Sequence, residues 1–263
     1  MDFKDQVALV TGASSGIGQR VAIDLAARGA IVVGCSRSMK KLQDTANELK
    51  RYSSSSTVMV CDVSAPDQVK EMVERVLSQF GQIDILINNA GFGAYQSFAE
   101  SSIDSIESML RTNYLGTVYC TKEVLPSMIA RRSGHIANIS SVAGKIATPN
   151  MASYCATKFA LMGLSESLYH ELKPLGIHVS VICPGPVRTK FHLLFDDLVP
   201  NTPAFIVLDT AAVSQAIVKA IETERFEVVM PRVLAFVCFL KGLMPGFIRF
   251  LTSRTLGPRA ARR

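Results

Sequence analysis

A chain of 263 residues, 48% hydrophobic and 19% charged, is too apolar for a disordered protein and long enough to bury a full core. Its net charge of +6 is unevenly placed: residues 225–263 hold eight Lys and Arg against one Glu, a balance of +7 that leaves −1 for residues 1–224. Six scattered cysteines without a Cys-x-x-Cys pair, and four histidines without His-Glu-x-x-His, argue against a disulfide framework or a metal site and for a reduced, cytoplasmic setting.

Met1-Asp-Phe-Lys-Asp5 has none of the basic-then-apolar character of a signal peptide. Val7–Val10 reads as a strand. It runs into Thr11-Gly-Ala-Ser-Ser-Gly-Ile-Gly18, then a helical pattern over Ile17, Val21 and Leu25 that stops at Gly29, then a strand at Ile31–Gly34. Strand, glycine turn, helix and strand predict a parallel sheet. Gly12 and Gly16 permit a sharp turn and close approach of a phosphate, and Gly18 lets the helix pack on the strand. The helix N-terminus offers free N–H groups and a partial positive charge to a pyrophosphate. The spacing, Gly-x-x-x-Gly-x-Gly, differs from the commonest dinucleotide fingerprint. Next comes Cys35-Ser-Arg-Ser38. An acid here would bind a ribose 2′-hydroxyl, whereas Ser36 and Arg37 suit a 2′-phosphate and favour NADP(H) over NAD.

Met39–Arg51 reads as a helix. Thr57–Cys61 reads as a strand ending in Asp62-Val63, where a carboxylate can meet an adenine amino group. Pro66–Phe80 has helical spacing and Gly81 ends it. Ile83–Ile87 is a fourth strand entering Asn88-Asn-Ala-Gly91. Paired asparagines there can satisfy backbone groups of neighbouring strands, and Ala90-Gly91 leaves room for a cofactor. A helix near Ser101–Arg111 precedes Asn113, which is expected to open a long helix, Tyr114–Arg131. Asparagine is disfavoured in mid-helix, so it is a cap or a positioned polar group. His135–Ile139 is a fifth strand, ending in Ser140-Ser141. The glycosylation sequon Asn138-Ile-Ser140 sits in what reads as a buried strand end.

Tyr154–Lys173 is strongly helical. Tyr154 and Lys158 lie four apart, so they share one face. A lysine ammonium beside a phenol is expected to pull its pKa down, which suits proton exchange with an alcohol or alkoxide. Tyr-x-x-x-Lys alone is common on surface helices, and its meaning depends on a cofactor site and a second polar anchor elsewhere. His178–Cys183 is a sixth strand, broken by Pro184-Gly-Pro186. Residues 187–208 read as a lid of mixed polarity, Asp209–Thr223 as a helix and Glu227–Met230 as a last strand. No linker divides residues 1–230.

Residues 231–263 form a basic, apolar tail. The longest uncharged run is Val233–Leu240, below the ~20 residues a bilayer span requires, and Pro245-Gly246 interrupts the next apolar stretch. Two short apolar helices with interspersed Arg and Lys suit the plane of a membrane interface through 231–251; the alternative is that the segment packs over the substrate pocket or a partner subunit, with its arginines solvated. Phe and Leu are too numerous there for a nucleic-acid arm.

The motifs at 11–18, 88–91, 113, 141, 154, 158 and 184–185, in this order over roughly residues 5–230, together resemble the short-chain dehydrogenase/reductase family. That resemblance implies a doubly wound Rossmann-type α/β domain with about seven parallel strands and helices on both faces. It implies cofactor contacts from Gly12, Ser14, Ser15, Gly16, Ile17, Gly18, Ser36, Arg37, Asp62, Val63, Asn89, Ala90, Gly91, Tyr154, Lys158, Pro184, Gly185, Val187 and Thr189, and no metal. The implied catalytic set is Asn113, Ser141, Tyr154 and Lys158; family spacing selects Ser141 over Ser140. Tyr154 would be the general acid in reduction and the base in oxidation. Lys158 would depress the phenol pKa and hold the nicotinamide ribose. Ser141 would hydrogen-bond the carbonyl, and Asn113 would hold its helix end open to seat a water. The family also implies a homodimer or homotetramer. The apolar lid and tail favour a lipid-like ketone of 3-oxoacyl, keto-sphingoid or steroid type. The rival from another class is a non-catalytic NADP-binding sensor or scaffold, which has no use for the proton-transfer set.

Overall fold

A computed structural model of the protein describes residues 2–189 and 203–256. Its sheet comprises β1 (Val7–Thr11), β2 (Ile31–Ser36), β3 (Thr57–Val60), β4 (Ile85–Asn88), β5 (Gly134–Ile139), β6 (Ile177–Pro184) and β7 (Glu227–Met230). All seven strands are parallel, in the order β3-β2-β1-β4-β5-β6-β7. Helices α1 (Gly16–Ala26), α2 (Met39–Lys50), α3 (Pro66–Phe80), α4 (Ile103–Leu110), α5 (Gly116–Arg131), α6 (Ala152–Leu172) and α7 (Thr210–Glu222) make the crossovers. This is the expected doubly wound Rossmann-type fold.

The strands are near-continuous apolar runs because both faces of a parallel sheet are covered. Alternation within β1 shows it. Ala8 and Val10 join Val21, Leu25, Val213 and Ile217 on the face of α1 and α7. Val7 and Leu9 join Val69, Val73, Val124 and Met128 on the face of α3 and α5. The strand order reverses between β1 and β4, which places the ligand crevice outside their carboxyl ends. Thr11 ties that point together. Its Oγ1 accepts from the N–H groups of Asn89 and Ala90, at 3.0 Å each, and donates to the Ile87 carbonyl.

Beyond the opposite end of the crevice, Asp84 anchors three elements. Its carboxylate accepts from Val7 N at 2.9 Å, Gln82 Nε2 at 3.0 Å and Arg131 Nη1 at 2.8 Å. Asp84→Ala would strand a buried N–H and a half-buried guanidinium. The expected cost is about 2–3 kcal/mol, read as a lower urea midpoint with an unchanged slope.

Two local expectations change. The fourth strand begins at Ile85 rather than Ile83, although the Asp84 backbone still donates to the Val7 carbonyl and accepts from His135 N, at 2.8 Å each. Asn113 does not open a helix: α4 continues through a single π-turn, Arg111–Leu115, directly into α5. The tail adds α8 (Arg232–Leu243) and α9 (Pro245–Leu256), separated at Pro245. Among the described residues, no helix is long and apolar enough to cross a membrane. The lid expectation falls largely on residues 190–202, outside the described residues. Its flanks pair as a parallel bridge, Val187 with Leu208.

Candidate active site

A cavity of about 820 Å³ opens at the carboxyl ends of the central strands. Its floor begins at the β1–α1 turn. Gly12 adopts φ +67°, and a β-carbon there would sit 2.9 Å from the Ala90 Cα. A β-carbon on Gly18 would strike the Asn89 amide and the Gly12 carbonyl. Only glycine lets the turn close against the end of β4. Ser15, at the N-cap of α1, makes no side-chain capping bond, so the first N–H groups of the helix are left for an incoming anion.

The cavity wall contains Gly12, Ser14, Ser15, Gly16, Ile17, Ser36, Arg37, Asp62, Val63, Asn89, Ala90, Gly91, Pro184, Gly185, Val187 and Thr189, together with Ser141, Tyr154 and Lys158. The structure therefore gathers almost every residue singled out from the sequence. Gly18 and Asn113 stand behind the wall. Asp62 Oδ1 already accepts from the backbone N–H and hydroxyl of Ser64, at 2.9 and 2.7 Å, which fixes its orientation at the rim. Sequence reasoning missed Lys41, in the first turn of α2 and on the same wall as Arg37. The signal was present as a lysine at the start of a helix following a serine-rich strand end. It also missed Phe92; the tail residues Leu234, Val237, Ile248, Leu251 and Thr252, not singled out beforehand, line the far wall, as the pocket-covering alternative for the tail expects. Their approach depends on chain folding from distant positions.

Asn89 Nδ2 donates to the Thr11 carbonyl at 2.9 Å, while Asn88 Nδ2 donates to Thr121 Oγ1 and to Asn138 Oδ1. Asn138 in turn donates to Ser165 and is fully buried, so the sequon asparagine is a core residue. Asn113 is buried in the π-turn. Its Oδ1 accepts from Phe92 N at 2.9 Å, and its Nδ2 donates to the Phe92 carbonyl at 2.8 Å and to Thr157 Oγ1 at 3.1 Å. These three bonds offset the poor helix propensity of asparagine. The side chain thereby clamps the loop after β4 to α6.

Ser141 follows β5. Its Oγ accepts from Ala143 N at 3.1 Å, donates to the Pro184 carbonyl at 3.4 Å and lies beside the Tyr154 phenol. Ser140 turns away, donating to the Lys158 carbonyl at 3.1 Å. Tyr154 and Lys158 do share one face of α6, with Nζ 5.6 Å from the ring centroid. Nζ donates to the Ile139 carbonyl at 2.8 Å, which ties α6 to the end of β5.

Burial sets the electrostatics. It lowers the Lys158 pKa to about 8, with partial compensation from Cys183. It raises the Tyr154 phenol above its ordinary range, against the opposing effect of the neighbouring Ser141 hydroxyl. The sequence-based expectation of a depressed phenol pKa is thus reversed, because desolvation outweighs an ammonium that far from the ring. A neutral phenol beside a serine hydroxyl is set to donate a proton to an oxygen held between them.

A family model described as "short chain dehydrogenase" matches residues 6–194. Epidermal retinol dehydrogenase 2 of Mus musculus is 32% identical over 246 residues, covering 91% of this chain and 78% of that protein. The crystal structure of a short-chain dehydrogenase/reductase from Burkholderia phymatum in complex with NAD superposes with a TM-score of 0.85 at 26% identity, covering 94% of this chain and 96% of that one. A single-site variant of the actinorhodin polyketide ketoreductase with NADPH gives a TM-score of 0.80 at 28% identity, covering 86% of this chain and 95% of that one.

Proposed function

The chain belongs to the short-chain dehydrogenase/reductase family of nicotinamide-dependent oxidoreductases, and from that premise we propose that it interconverts a ketone and a secondary alcohol on a hydrophobic, lipid-like substrate, using NADP(H). The observation that carries the reading is the convergence of Ser141 and Tyr154 on the cavity wall, with Lys158 buried on the same helix face as the phenol.

The residues present fit a dinucleotide: the turn at Gly12–Gly18 is shaped for a pyrophosphate, and the wall from Ser36 to Lys41 is polar and basic where a 2′-phosphate would lie. Lys158 would hold the ribose beside the nicotinamide, which supplies or accepts the hydride. Ser141 holds the carbonyl oxygen, and Tyr154 gives it a proton in reduction or removes one in oxidation. Asn113 keeps the Phe92 loop in place above Thr157, so the cavity wall stays fixed during proton exchange. Apolar side chains of the tail, Leu234, Val237, Ile248 and Leu251, give the substrate end of the cavity its lipid-like character.

We further propose a cytoplasmic homodimer or homotetramer joined through α5 and α6. The outer side of α6 supports this: Ala152, Ala156, Phe159 and Gly163 recur at helical spacing and are exposed. A panel of acyl, sphingoid and steroid ketones, assayed for NADPH and NADH oxidation, tests the function; no turnover of any member would overturn it. Cofactor choice has its own test. Arg37→Asp is expected to shift the ratio of kcat/KM for NADPH over NADH by about 10- to 100-fold toward NADH, the worth of one charge-assisted phosphate contact. Lys41→Ala should shift it in the same direction by less. An unchanged ratio in both variants would remove the argument for NADP(H).

A further inference from the structure

From Pro231 onward the chain holds seven Lys and Arg and no acid. The two helices of this segment are apolar on more than one side. In α8, Leu234 and Val237 face the cavity. Lys241, on the same inner stripe, donates to the Lys145 carbonyl and covers the Phe159 ring at 5.0 Å. Lys145 in turn pairs with Glu227 at 2.7 Å, so the root of the helix pair is fixed to β7. In α9, Ile248 is buried and Thr252 lines the cavity.

Among the described residues, the opposite side has no covering element. Phe236, Phe239, Leu243, Met244, Phe247 and Phe250 are between 49% and 65% exposed and follow one another across both helices. A helix apolar all round needs a second apolar medium on its outer side. Arg254 stacks on the Phe250 ring at 4.8 Å, and Arg249 lies on the same helix, so cations rim the aromatic face. A second copy of this chain is a poor occupant, because it would bring an equally cationic tail against this one. A nucleic acid offers no medium for four phenylalanines and a leucine. An anionic lipid surface satisfies both halves of the pattern.

We propose that the outer face of α8 and α9 seats the protein on an anionic membrane surface, and that the substrate passes from the lipid into the cavity between these helices. A helix is only ~10 Å across, so side chains one helix-width apart reach the acyl region and the cavity wall. The seating stands on the tail geometry alone; the substrate passage rests on the ketone–alcohol reading above.

The test is co-flotation of the full chain with phosphatidylcholine vesicles and with vesicles containing about 30% phosphatidylserine, beside turnover of a short water-soluble ketone and a long-chain ketone. The wild type should float with the anionic vesicles at least about 10-fold more than with neutral ones, and sodium chloride at about 0.5 M should release it. Phe236→Asp/Phe239→Asp and, separately, Arg249→Glu/Arg254→Glu should each abolish flotation while keeping turnover of the soluble ketone. Turnover of the long-chain ketone should rise at least about 5-fold with anionic vesicles in the wild type only. No flotation with either vesicle would overturn the seating. So would flotation unaffected by both variants, or a loss of oligomer in the Phe236→Asp/Phe239→Asp variant at unchanged flotation. Flotation with no turnover of any ketone would leave the seating standing and sink the function reading instead. Flotation and turnover without vesicle stimulation would sink the passage alone.

Discussion

Tyr154→Phe is expected to lower kcat by about 10²–10⁴-fold while cofactor affinity stays within a few-fold of wild type, the size of effect for a positioned general acid. The substitution keeps the ring, which is buried in the wall, and removes only the hydroxyl beside Ser141. Stopped-flow cofactor binding and steady-state ketone reduction separate the two outcomes. The loss should appear in kcat and in kcat/KM alike, because proton donation matters only as the carbonyl oxygen gains charge. Turnover surviving the change would mean that Tyr154 is a wall residue and that the proton comes from elsewhere. Because the phenol is held in its neutral form by burial, reduction should not require alkaline conditions.

Lys158→Met should both inactivate and stabilise the protein. Activity is expected to fall about 10²-fold or more, since the cation beside the developing phenolate and the grip on the cofactor ribose are lost together. Stability moves the other way because the ammonium is almost fully buried and its pKa drops from 10.5 to about 8. Below pH 8 both folded and unfolded chains carry the proton, and the folded state bears the whole desolvation cost. Between about 8 and 10.5 the unfolded chain binds more protons than the folded one, so wild-type stability rises with pH. The methionine variant should therefore be more stable by about 1–3 kcal/mol at pH 7, after allowing for the lost bond to the Ile139 carbonyl. That advantage should fade through pH 8 to 10.5. Urea denaturation at pH 7 and pH 10 measures it. Equal stability of wild type and variant at pH 7 would show that the ammonium is not desolvated as the structure places it. The wild-type reduction rate should decline above about pH 8 as Lys158 loses its charge.

These two expectations also show how the site was and was not visible in the sequence. Tyr154, Lys158 and Ser141 could be found because helical spacing and the order of motifs are one-dimensional properties. The glycine turn was legible for the same reason: strand, turn and helix are consecutive, and the small residues needed at Gly12 and Gly18 are written there. The direction of the phenol pKa was not legible. It depends on how much water the folded chain removes from around Tyr154, a sum over elements far apart in sequence. Asn113 was recognised as a polar group that needed a reason, but the reason lay in Phe92 and Thr157, 21 and 44 residues away.

The tail divides in the same way. Its charge bias, its helical pattern and the break at Pro245 are properties of the sequence. That α8 and α9 return to line the far wall of the cavity, and leave six apolar side chains facing outward, is decided by tertiary packing. The sequence by itself determined the parallel sheet, the glycine turn and the order of its motifs, because local propensity, hydrophobic period and motif order act along the chain. Tertiary structure alone decided the protonation balance of Tyr154 and Lys158, the clamp made by Asn113 and the two-sided role of the tail, because burial and long-range hydrogen bonds exist only once distant segments meet.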